Sequence, residues 1–127
     1  DCTDLANSGA RHLRSDEDIR EGLALVDACV RIAWALQPAW WVMENPVGKL
    51  VKWLGDPVMW FDPCDYGDPY TKRTGLWGKF RPPLMRPVFP SEGSKMHARY
   101  GGSSERTKTA RSMTPPGFSE AFCEANP

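Results

Sequence analysis

"AWWVMENPVGKL", residues 39–50, decides how the fold is read. Ala39 to Met43 are all apolar, so neither face of an extended segment here would be polar. Such a run suits a central parallel strand covered by helices on both sides. Glu44, Asn45 and Pro46 then end it with a carboxylate at the first position, where turns more often use Gly, Asp or Ser. In an open parallel sheet, ligands bind outside the carboxyl ends of the strands, so Glu44 is placed at a candidate site. A structural reading stands beside this one. An acid at 44 could cap a helix starting near Val47, which stabilises a helix by about 0.3–1 kcal/mol.

Upstream, Ser15-Asp16-Glu17-Asp18 has the form of a capping box and predicts a helix start. Ile19, Leu23, Val26, Val30 and either Ala33 or Trp34 recur at steps of three and four, marking one buried face, and Pro38 closes the segment. Downstream, the spacing predicts a short helix over 47–54, an apolar strand over 58–61 and a third strand over 74–77. From there to Arg111 the chain is rich in Pro, Gly, Ser and charge, which predicts a long functional loop. Pro115 and Pro116 precede a last helix whose Phe118, Ala121 and Phe122 would dock on the body. Helix, turn and strand in this order suggest an α/β fold with a doubly wound sheet.

A chain of 127 residues is the size of one domain, and six Trp with a quarter of the residues charged exclude a disordered chain. The formal charge of zero hides an asymmetry. Residues 1–68 carry 6 Lys or Arg against 12 Asp or Glu, whereas residues 69–127 carry 10 against 4. Trp77, Phe80, Phe89 and Tyr100 are interleaved with the basic residues, a pattern that suits a nucleic-acid backbone and its bases. A solvated, Pro-rich arm is the structural alternative. Cys2, Cys29, Cys64 and Cys123 lie far apart, and His12 and His97 have no ligand-like spacing to them, which argues against a zinc site. The opening residues carry no leader pattern, and no apolar run approaches the roughly 20 residues of a membrane helix. The expectation is a cytoplasmic protein with reduced thiols and no membrane partner.

Cys2, "MENPVG" (43–48) and "DYGDPYTKRT" (65–74) occur in the order of the motifs of cytosine-5 DNA methyltransferases: the nucleophile, the acid that contacts the ring, and a Tyr-Gly-x-Pro turn followed by cations. Through "CTDLANSGARHL", "ENPVGKL", "YGDPYTKRTGLW" and "SERTKTARSMTPPGFSEAFCEANP" the chain resembles a phage-associated, methylase-like branch of that family, known from restriction-modification and its evasion. Asp1, Thr3 and Tyr70 depart from the family pattern.

The resemblance implies a partial Rossmann-like sheet of the methyltransferase type, S-adenosylmethionine as donor and DNA as substrate. It implies Cys2 as nucleophile and Glu44 as the acid, with Arg73 or Lys72 in the cationic role. Asn45 and Pro46 would shape the turn that aims Glu44, and Tyr66 would set the following loop. In the basic region, Trp77, Arg81, Lys95, Arg99, Arg106, Lys108 and Arg111 are candidate DNA contacts. No Gly-rich turn after a strand, and no acid to hold a ribose, is present in the sequence, so the chain corresponds to the C-terminal half of such an enzyme. The expected organisation is a catalytic half over 1–78, a basic recognition loop over 79–111 and a closing helix over 112–127 packed on the first part. A second chain, or a homodimer through an exposed sheet edge, would complete it. Alternatively the chain is an inactive nucleic-acid-binding module, and Cys2 no more than a small buried residue.

Overall fold

The computed structural model describes residues 15–94 and 112–127. The chain divides into two units. The first is Asp1–Trp60 with Thr74–Phe80, and the second is Phe61–Arg73 with Arg81–Pro127.

In the first unit, helix α1 (Asp16–Leu36) starts at the box that the sequence signals. The Asp18 carboxylate accepts from the Ser15 amide at 2.9 Å, and the Ser15 hydroxyl accepts from the Asp18 amide at 3.1 Å. A cap of this kind is worth about 1 kcal/mol. The helix ends at Gln37, whose φ of 46° is left-handed and whose amide donates to the Ala33 carbonyl at 3.0 Å. Pro38 follows and cannot continue the helix. Gly22, Val26 and Ala33 form its buried face. Leu23 and Val26 meet Met43, Leu50, Val51, Leu54 and Trp77 in one apolar cluster. Of the two alternatives at the end of the stripe, Ala33 is buried and Trp34 is 75% exposed. A second apolar stripe runs beside the first at helical spacing: Leu25, Ala28, Cys29, Ile32 and Leu36, all exposed.

Strand β1 (Trp41–Pro46) continues past the expected boundary, so Glu44 and Asn45 are strand residues. Helix α2 (Val51–Leu54) is a single turn. It starts four residues later than the sequence predicts, behind Leu50 and with no side-chain cap, so Glu44 is not the cap of this helix. Strand β2 (Met59–Phe61) carries the chain out of the first unit, and β3 (Thr74–Lys79) brings it back.

The three strands form an antiparallel sheet in the order β1-β3-β2. The register of β1 on β3 runs from Trp41 opposite Lys79 to Pro46 opposite Thr74. This corrects the expectation that β1 is a central parallel strand. An apolar run reports burial of both faces but not strand direction, and the most buried strand is β3, where Thr74 to Trp77 are all buried. Glycines weaken a strand signal in sequence, yet here they allow close approach. Gly78 has a φ of 139°, and a Cβ on it would strike the Trp41 carbonyl.

The second unit is built on aromatic stacking. A 3-10 turn (Pro63–Tyr66) follows β2, and helix α3 (Pro116–Ala125) closes the chain. Phe61 stacks on Phe118 at 4.1 Å between ring centres, Tyr66 meets Phe118 edge-on at 5.3 Å, and Phe122 lies 5.6 Å from Phe118. Each such pair adds about 0.5–1.5 kcal/mol beyond its burial. The expected closing helix is therefore present, with Phe118, Ala121 and Phe122 buried. Phe61, the last residue of β2, joins this cluster, which is where the second unit begins.

Candidate functional site

Glu44 stands on β1 opposite Leu76 and is half-buried. It borders a cavity of about 130 Å3 whose other lining residues are Gly22, Leu25, Val26 and Cys29 of α1, Met43, Asn45 and Leu50. A cavity of about 150 Å3 with apolar walls accommodates benzene, so this space is of the size that holds one six-membered ring. The walls are almost wholly apolar, so little of the Glu44 carboxylate faces the space. Asn45 is 2% exposed, and its side-chain amide donates to the Pro46 carbonyl at 2.9 Å, which fixes the end of the strand beside Glu44. Cys29, one of the widely spaced cysteines, shares the cavity with Glu44. Its steps of three and four from Leu25 and Val26 are the signal that places it there.

Trp77 was a candidate stacking surface, but it is 6% exposed and belongs to the core. Its indole nitrogen donates to the Gly55 carbonyl at 3.0 Å, and Trp60 meets it edge-on at 6.2 Å. A basic neighbourhood in sequence did not translate into exposure, because strand alternation and Gly75 turn this ring into the sheet's packing.

In the second unit, the "DYGDPYTKR" loop is organised by Asp62. Its carboxylate accepts from the Lys72 amide at 2.9 Å and meets the Arg73 guanidinium at 3.4 Å. The Asp65 carboxylate in turn accepts from the Asp62 amide at 2.7 Å. Gly67 closes the turn at a φ of 95°, a conformation that favours glycine. The Arg73 side chain is 53% exposed, so an incoming anion can reach it. Tyr66 is 4% exposed, and its hydroxyl is buried with no hydrogen-bond partner among the described residues. Burial, and then the Asp65 charge, pushes its pKa up to about 12. It serves the core of the loop and is not presented to a ligand. Burial likewise raises the Cys64 thiol, helped by Asp65 and Asp62, which disfavours the nucleophilic thiolate. Arg81 is exposed.

Cys2, Lys95, Arg99, Arg106, Lys108 and Arg111 lie outside the described residues. Cys29, Cys64 and Cys123 are free thiols. Among the described residues no group of His, Cys, Asp or Glu could hold a metal ion, and no helix is long and apolar enough to cross a membrane. A cradle for S-adenosylmethionine needs a Gly-rich turn leaving a strand. Among the described residues, Val47-Gly48-Lys49 follows β1 and Asp62-Pro63 follows β2, so these residues do not fit that group. No family model matches the chain, and searches of curated proteins and of solved structures give no match.

Proposed function

We propose that the chain is the base-handling half of a DNA (cytosine-5) methyltransferase-like protein, with a Rossmann-like sheet of which β1, β2 and β3 are one end. The observation that carries the reading is the ring-sized cavity bordered by Glu44. The sheet order is consistent with it. β1 and β2, both antiparallel to β3, run in the same direction, and residues 47–58 connect them with a helical turn on the way. Parallel strands need a crossover of about a dozen residues, and otherwise parallel sheets often include an antiparallel strand near one edge.

The chemistry follows from the reactivity of cytosine, whose carbon 5 is a poor nucleophile. The Cys2 thiolate adds to carbon 6, and the ring's double-bond electrons move to make carbon 5 electron-rich. Glu44 hydrogen-bonds ring N3 and the exocyclic amine and neutralises the charge that develops there. The base leaves its duplex to enter the site.

With a donor-binding half supplied, DNA containing 5-fluorocytosine should be trapped covalently, and Cys2→Ser should abolish the adduct. Glu44→Gln should slow trapping by about 10²–10³-fold. An adduct that persists in Cys2→Ser would overturn the reading. The lack of a donor cradle among the described residues favours a second reading, an inactive nucleic-acid-binding module. DNA binding with no adduct in the wild type would select it.

A further inference from the structure

Residues 81–94 contain no helix or strand, yet the rest of the second unit holds their backbone along its length. The Asn126 side chain clasps Arg81 from both sides, accepting from its amide at 2.7 Å and donating to its carbonyl at 2.9 Å. The Arg86 amide donates to the Asp65 carbonyl, Val88 to Cys64 and Glu92 to Pro69, each at 2.8 Å. The Thr71 amide donates to the Gly93 carbonyl at 2.9 Å. Pro82, Pro83, Pro87 and Pro90 remove further freedom. The segment is a strap tied down at five places.

Four large apolar side chains stand out from this strap: Leu84 at 76% exposure, Met85 at 49%, Val88 at 42% and Phe89 at 84%. Single exposed apolar residues are ordinary, but four within six positions on a tethered backbone form a patch. Charge points to its occupant. Arg81 precedes the patch and Arg86 lies within it, and over residues 81–111 the sequence has seven Lys or Arg against two Glu. The Arg86 pair with Glu124, at 3.3 Å, is exposed on both sides, so it is weak and open to exchange with a phosphate.

We propose that the strap is a DNA-contacting wedge, with Phe89 inserted against a base step and Arg86 on a flanking phosphate. The inference rests on the nucleic-acid part of the proposed function and names where the contact is made. Apolar wedges that unstack a base step beside basic contacts to phosphate are a general means of gripping duplex DNA. A tethered, proline-rich backbone loses little freedom on binding, so the contact energy is retained.

The test is fluorescence anisotropy of the full chain on a labelled mixed-sequence duplex over a range of salt, with 2-aminopurine in the duplex to report unstacking. Phe89→Ala should weaken binding by about 5- to 150-fold, the range for loss of one base–aromatic stack, and should remove the 2-aminopurine brightening. It should leave the slope of log affinity on log salt unchanged, because no phosphate contact is lost. Phe89→Trp should restore both signals, and Arg86→Ala should lower the salt slope by about 1. Wild-type binding that Phe89→Ala leaves intact would overturn the wedge while sparing DNA binding as such. No binding by the wild type at low salt would overturn both.

Discussion

The two units bury their apolar residues in different ways. The second closes on itself: four aromatic rings pack together, Asp68 accepts from the Gly117 amide at 3.0 Å at the start of α3, and Asn126 ties the strap. The first unit leaves a whole apolar stripe of α1 exposed, together with Trp34 at 75% and Trp53 at 60%, and β1 ends the described sheet. The second unit keeps its exposed large apolar side chains mainly on the strap, whereas the first exposes them along one face of a helix. The cavity beside Glu44 is in that first unit, and the tethered, exposed Phe89 is in the second.

The largest effect should come from breaking the closed unit. Phe118 touches Phe61, Tyr66 and Phe122, and Phe118→Ala should cost about 3–5 kcal/mol. All six Trp belong to the first unit, so denaturant unfolding followed by Trp fluorescence reports that unit, while hydrogen exchange of peptides covering 61–73 and 116–125 reports the second. The midpoint of the second unit should move further than the fluorescence midpoint. Equal shifts would break the comparison.

A smaller effect, of opposite sign, should come from Tyr66→Phe. The buried hydroxyl has no partner among the described residues, so its removal should stabilise the fold by about 1 kcal/mol. The same substitution should change alkaline behaviour. The phenol pKa is raised from 10 to about 12 in the folded state, so its contribution is fully present below pH 10 and is lost as pH rises towards 12. Wild type should therefore lose stability across that window while Tyr66→Phe loses less, as measured by melting between pH 9 and 12. Parallel curves would place the phenol in solvent.

The smallest effect sharpens the first unit. Ile32 is 58% exposed on the second stripe of α1, so Ile32→Lys should change stability by no more than about 0.5 kcal/mol. A loss of several kcal/mol would mean that another part of the chain covers the stripe.

How far the sequence could be read depended on the range of each signal. The start of α1 was legible because a capping box is local, and α3 was legible because Pro115 and Pro116 precede a compact apolar group. Strand direction was not legible. Val42 and Met43 report that both faces are covered, and only the pairing of Glu44 with Leu76, 32 positions apart, reveals the antiparallel neighbour. Glu44 stood out in the sequence because a carboxylate breaks an apolar run. The cavity it borders was not legible, because residues on three separate segments make it. Trp77 was misjudged because charge in sequence does not report which way a strand residue faces.

The central claim is that the Cys2 sulfur and the Glu44 side chain flank one pyrimidine-sized space. It is tested most directly by Glu44→Cys in a chain with Cys29, Cys64 and Cys123 changed to Ser, treated with dibromobimane, which fluoresces fully when both of its arms have reacted and is itself little larger than a pyrimidine. The account predicts an intramolecular cross-link between positions 2 and 44, recovered as one joined peptide pair by mass spectrometry. Two separately labelled thiols with no joined pair, in a chain that remains folded, would contradict it.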